Sequence, residues 1–150
     1  MVANMVYIRI EAEIRATEDE NKVIQALKNL VYPIKIRIER VSPIVKIAIG
    51  ESNDVASLQP LHDKLRKQRI LDTARNIMLR GLRRENTIVL RLNKQAAYQG
   101  IVSFIDSDLE SPLGGITLTI VGDNLEDVVD WLAPRTARGR PLWERPPPRT

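Results

Sequence analysis

Residues 6–15, VYIRIEAEIR, alternate strictly between apolar and charged or polar positions. Ile8, Ile10, Ala12 and Ile14 point one way; Arg9, Glu11, Glu13 and Arg15 point the other. A period of two predicts a half-buried strand with one polar face. The period then changes. Val23, Leu27, Leu30 and Val31 fall at helical spacing, and Thr17 with Glu20 has the T-x-x-E spacing of a capping box. Pro33 prevents the helix from continuing. KIRIERV (35–41) and IVKIAIG (44–50) are β-branched runs on either side of Ser42-Pro43 and predict a hairpin. TIVLRLN (87–93), IVSFI (101–105) and ITLTIVG (116–122) predict three more strands. NKQAAYQG (93–100) reads as a polar connection with one helical turn, ended by Gly100, and DSDLESPLGG (106–115) as a loop. Asp123 and Glu126 repeat the capping-box spacing ahead of Leu125, Val128, Val129 and Leu132, and Pro134 stops that last helix.

Residues 54–83 need a finer reading. Advancing about 100° per residue places Ile70, Leu71, Ala74, Ile77, Met78 and Leu82 on one face. Leu58, Leu61 and Leu65 fall on the nearly opposite face. One straight helix cannot bury both against one sheet. The chain must therefore turn near Arg66–Arg69, which predicts two helices, 57–67 and 69–83. Pro60 suits the first turn of the first, and Gly81 or the residues after it suit the end of the second. The element order is then β-α-β-β-α-α-β-β-β-α. This is an α+β fold with a mostly antiparallel sheet of about six strands and helices packed on one face.

The tail PRTARGRPLWERPPPRT (134–150) has five prolines and no periodicity, so it is expected to run extended or without order. Leu142 and Trp143 are its candidate anchors. Residues 1–133 are read as one domain. A chain of 150 residues buries about 70% of its unfolded surface, enough for a core without metals or disulfides.

Charge changes the picture. The chain has 23 Lys and Arg against 19 Asp and Glu. The tail holds five Arg and one Glu, which leaves 18 of each sign in residues 1–133. Within that neutral body, residues 62–94 carry ten Lys and Arg and three acids. Residues 95–133 carry seven acids (Asp106, Asp108, Glu110, Asp123, Glu126, Asp127 and Asp130) and no Lys or Arg. Arg69, Arg80, Arg83 and Arg84 line the outer side of the second helix, with Arg75 at its edge and Arg66 and Lys67 at the corner. Such segregation has two readings. It is an electrostatic footprint for phosphates, or the basic segment meets the acidic one within the chain or in a second copy.

Several chemistries find no support. Without cysteine there is no disulfide, thiolate metal site or Cys nucleophile. His62 is the one histidine, read as solvent-facing, and no triad or nucleotide-binding glycine motif accompanies it. Asp106, Asp108 and Glu110 have D-x-D-x-E spacing, but Ser111-Pro112 stands where a calcium loop needs Gly. No enzyme, metal or cofactor is expected. The N-terminus lacks a signal-peptide pattern and no apolar run spans a bilayer, so a cytoplasmic protein is expected. The β-branched, Arg- and Glu-rich composition fits a thermophile. Asn93, Lys94, Gln95, Tyr98 and Gln99 gather donors, acceptors and one ring in an exposed connection, as single-stranded RNA recognition uses; a plain polar loop with Tyr98 half-buried is the other reading.

RKQRILDTAR (66–75), LRG (79–81), NKQAA (93–97), SPLG (111–114) and DWLAPRT (130–136) together resemble the archaeal uncharacterised protein family 0201, UPF0201, over residues 6–136. The resemblance implies a fold like that of the large-subunit ribosomal protein that binds 5S rRNA, and an RNA-binding-like role. Some relatives are joined to a P-loop kinase-like domain. The positions that match the motifs and carry over as candidate binders are Arg66, Lys67, Gln68, Arg69, Arg75, Asn93, Lys94, Gln95 and Arg135. The expected function is non-catalytic RNA binding through the basic helical segment. The alternative is a protein-interaction or regulatory subunit, partnered by a P-loop kinase-like protein, an acidic surface or a second copy in a homodimer.

Overall fold

The structure is a computed structural model that describes residues 5–105 and 114–148. The loop carrying Asp106, Asp108 and Glu110 lies outside the described residues. The alternation at the start of the chain produces β1 (Val6–Arg15), whose even-numbered residues are buried and whose odd-numbered residues are not. The two β-branched runs form the expected hairpin, β2 (Lys35–Ser42) and β3 (Val45–Ser52). With β4 (Ile88–Asn93) and β5 (Gly115–Gly122) they make one antiparallel sheet, ordered β2-β3-β1-β5-β4.

Among the described residues five α-helices join the sheet: α1 (Glu20–Lys28), α2 (Gln59–Lys67, preceded by a 3-10 turn at Val55–Leu58), α3 (Leu71–Glu85), α4 (Lys94–Tyr98) and α5 (Leu125–Leu132). Leu27, Leu61, Leu65, Met78 and Trp131 from these helices share a single core with Ile8, Ile10, Leu90 and Leu118 of the sheet. The opposite sheet face is polar. Tyr7 donates to Glu51 at 2.8 Å, Arg9 to Glu11 at 3.1 Å, and Arg37 to both Glu39 and Glu51. The hydrogen bonds from Arg37 and then Tyr7 hold the Glu51 carboxyl below its ordinary range.

The break between α2 and α3 falls where the opposed apolar faces require it. Leu61 and Leu65 are fully buried, and so are Ala74 and Met78 beyond the corner. Pro60 sits in the first turn of α2, as expected. The second helix begins at Leu71 rather than 69 and continues past Gly81 to Glu85. Its cap is Asn86, at a left-handed φ of 53°, whose N–H bonds Leu82 O. Gly81 is needed for another reason. A Cβ there would lie 2.8 Å from Thr87 O, so its absence lets α3 approach the start of β4.

Other expectations are corrected. Residues 101–105 form no strand but one isolated bridge, Leu92 to Phe104. Asn93 N–H bonds Ser103 O and Ile105 N–H bonds Arg91 O. The main sheet therefore has five strands, not six. Neither predicted capping box forms. Asp19 caps α1 by accepting from Asn21 N, while Glu18 accepts from Arg15 N. Asn124, not Asp123, caps α5 by accepting from Asp127 N. In both helices the short side chain immediately before the first turn takes the position that caps it.

After Ala133 the chain forms a two-residue ribbon, β6 (Thr136–Ala137) with β7 (Arg140–Pro141). Arg138 and Gly139 turn it with φ of 54° and 78°, the left-handed pair that two-residue hairpins use. Among the described residues, no helix is long and apolar enough to cross a membrane.

Candidate nucleic-acid interface

The corner RKQR splits into two inward and two outward side chains. α2 ends at Lys67, Arg69 takes a left-handed φ of 58°, and Ile70 N–H bonds Leu65 O. Arg66 turns inward. Its guanidinium donates to both carboxylate oxygens of Glu144, at 2.6 and 2.8 Å, and to the carbonyls of His62, Trp131 and Leu132. The last two belong to the end of α5, where carbonyls lack helical partners and a cation is favoured. The Arg66 hydrogen bonds hold the Glu144 carboxyl below its ordinary range. Gln68 also turns inward, clamping the Val102 backbone through its amide nitrogen and oxygen, both at 2.8 Å. Lys67 and Arg69 are exposed.

Along α3 the arginines part company. Arg75 reaches across to α5, bonding Asp130 Oδ1 and Ala133 O, both at 3.0 Å, with its side chain 14% exposed. The acids downstream do meet the basic segment at this point. Arg80, Arg83 and Arg84 are exposed, and with Lys67, Arg69 and Arg135 they make no side-chain hydrogen bond or ion pair among the described residues. Arg83 borders a groove shared with Asp123 and Glu126 at the start of α5. Arg80 and Arg84 border a different one, of about 430 Å³, on the β4 side of the helix. Asp72, the acid at the start of α3, accepts from Thr136 Oγ1 at 2.6 Å and is turned toward the tail.

The NKQAAYQG connection divides in the same way. Asn93 caps α4 by accepting from Ala96 N at 2.8 Å. Lys94 is 4% exposed and donates to Glu13 O and to both oxygens of Glu18. Gln95 and Tyr98 remain at the surface beside Lys22, whose Nζ stands 5.6 Å from the Tyr98 ring centroid. Gly100, at φ 81°, ends the turn as expected.

His62 is not solvent-facing. Its ring stacks on Trp131 with centroids 4.9 Å apart, and Nδ1 lies 2.9 Å from Asp63 Oδ1. Of the two expected anchors of the tail, Trp143 takes that role and Leu142 stays exposed. Trp143 Nε1 donates to Asp130 O at 3.3 Å, and the Arg145 guanidinium lies 5.0 Å from the Trp143 ring. Among the described residues no group of three His, Asp or Glu side chains could hold a metal ion.

The candidate binders thus fall into two sets. Arg66, Gln68, Arg75, Asn93 and Lys94 tie elements together. Lys67, Arg69, Arg80, Arg83, Arg84, Gln95, Tyr98 and Arg135 face outward. A family model described as RNA binding matches residues 7–121, which contain most of both sets. A UPF0201 protein of Aeropyrum pernix is 49% identical over 140 residues, covering 93% of each chain. One from Sulfurisphaera tokodaii is 48% identical over 96% of this chain and 98% of its own. The crystal structure of the UPF0201 protein from Methanococcus jannaschii superposes with a TM-score of 0.79 at 31% identity, covering 91% of this chain and 98% of that one. With the match running through strands, corner and helices alike, the chain belongs to the UPF0201 family.

Proposed function

We propose that this chain is a non-catalytic RNA-binding protein that holds phosphates with Lys67, Arg69, Arg80, Arg83 and Arg84. One observation carries the reading. These five cations are exposed at the corner and on the outer side of α3 without a side-chain partner among the described residues. An arginine face built for stability would carry acids to pair with it, and the acid at the start of α3, Asp72, is turned to Thr136 instead. The match to an RNA-binding family model supports the same ligand. In this reading the exposed Gln95 and Tyr98 contribute polar contacts to sugars or base edges, and Arg135 with the tail arginines adds non-specific attraction. A cytoplasmic location goes with such a ligand.

Filter binding of single-stranded and structured RNA across a salt series tests the reading. Five neutralised phosphates give a slope of about −3.5 for log K against log salt on a single strand. Replacing Lys67, Arg69 and Arg80 together by Gln should flatten the slope by about 2. Absence of binding at about 50 mM salt, where such contacts are strong, would sink the proposal. A salt-sensitive homodimer in light scattering without RNA would favour the protein-interaction alternative.

A further inference from the structure

The groove on the β4 side of α3 combines two surfaces that phosphate binding alone does not require together. Among the described residues it is lined by Arg80 and Arg84, one helical turn apart, and by Arg91 of β4. Apolar side chains share the lining: Ile77, Val89, Ile105 and Phe104, the one phenylalanine of the chain. Phe104 is half-buried, packed against the core on its inner side and lining the groove on the other. The walls are fixed elements. Gly81 lets α3 approach Thr87 at the start of β4, and the Leu92–Phe104 bridge holds residue 104 on that strand.

We infer that this groove takes a nucleotide of single-stranded RNA, with its base over Phe104 and its phosphates on Arg80 and Arg84. The inference rests on the RNA-binding reading and adds a site and a strand state to it. Arg80 and Arg84 stand about 5–6 Å apart at Cβ, so both can serve one short stretch of backbone. A phosphate backbone on the arginines alone would leave the apolar lining unused. A base has a flat apolar face that an aromatic ring can stack on. In a duplex the bases are stacked inside and cannot reach the Phe104 ring, so the occupant is a single strand. The volume of about 430 Å³ suits a ligand of nucleotide size. Tyr98 is the other candidate platform, but Lys22 already stands over its ring.

Fluorescence anisotropy on the full chain tests this with an oligouridine of about eight nucleotides and a blunt RNA duplex of about 16 base pairs. Phe104→Leu should weaken oligouridine binding about fivefold or more and change duplex binding less than about twofold. Arg80→Gln with Arg84→Gln should weaken both probes. If oligouridine affinity is unchanged in Phe104→Leu, or the unaltered chain binds only duplex, the groove is not the site and the broader RNA reading survives. If the unaltered chain binds neither probe, both fail. Because Phe104 also packs on the core, a second measurement uses the unaltered chain. Photo-crosslinking to oligouridine containing 4-thiouridine should label the peptide holding Phe104. Labelling confined to Tyr98 or to the tail would overturn the groove.

Discussion

At the scale of single residues, the same side-chain type does opposite jobs within a few positions. Arg75 and Arg80 lie on one helix, yet one bonds Asp130 and Ala133 while the other faces outward without a partner. Arg75→Ala should destabilise the fold by about 2 kcal/mol, from charged hydrogen bonds lost at a mostly buried site, and leave the salt slope of RNA binding unchanged. Arg80→Ala should leave stability within about 0.5 kcal/mol and flatten the slope by about 0.7. Urea unfolding and filter binding on the two variants separate these roles. Lys94→Met should cost about 3 kcal/mol in urea, because Glu18 would keep a buried charge without its partner. The outward side of Arg80 was legible in the sequence, but the partners of Arg75 and Lys94 were not. Spacing identifies which helix face a residue occupies, but the partners of Arg66 and Arg75 lie 78 and 55 positions away. His62 was misread for the same reason, since the ring that covers it, Trp131, belongs to another helix.

Elements were more legible, because their signals are local. The opposite phases of Leu61/Leu65 and Ala74/Met78 located the α2–α3 corner, and strict alternation gave β1 its polar face. Segment 101–105 shows the limit of local reading. Its composition is that of a strand, but only one residue pair reaches β4. Caps were displaced by one or two positions, since Thr17, Asp19, Asp123 and Asn124 are all competent and tertiary entry angle chooses among them. Asn124→Ala should therefore cost about 1 kcal/mol and Asp123→Ala less than half of that, read from urea midpoints. Gly81→Ala sets two effects against each other. Helix propensity favours Ala by about 1 kcal/mol. The new Cβ would meet Thr87 O at 2.8 Å, and the backbone there cannot yield as a side chain does. The clash should win, with a net loss of about 1–2 kcal/mol in urea unfolding.

At the scale of the whole molecule, the tail joins the body through Glu144, Trp143 and Thr136. Arg66 lowers the Glu144 pKa in the folded chain, so the attachment contributes fully above the ordinary glutamate range. It fades as pH falls through the lower folded value. Acrylamide quenching should show Trp143 becoming more accessible over that acid window, since Trp131 is 2% exposed and stays protected. Glu144→Gln should give the more accessible state already at neutral pH, with no further change in that window. The sheet as a whole has unequal ends. Beyond β4, segment 101–105 bonds the backbone at Arg91 and Asn93. β2 is the other edge strand, with Lys35, Arg37, Glu39 and Arg40 exposed along it, and charges there discourage pairing with stray strands. Pairing at β2 would require a second strand to accommodate that charged row, so this edge is guarded against fibre formation by electrostatics rather than by cover.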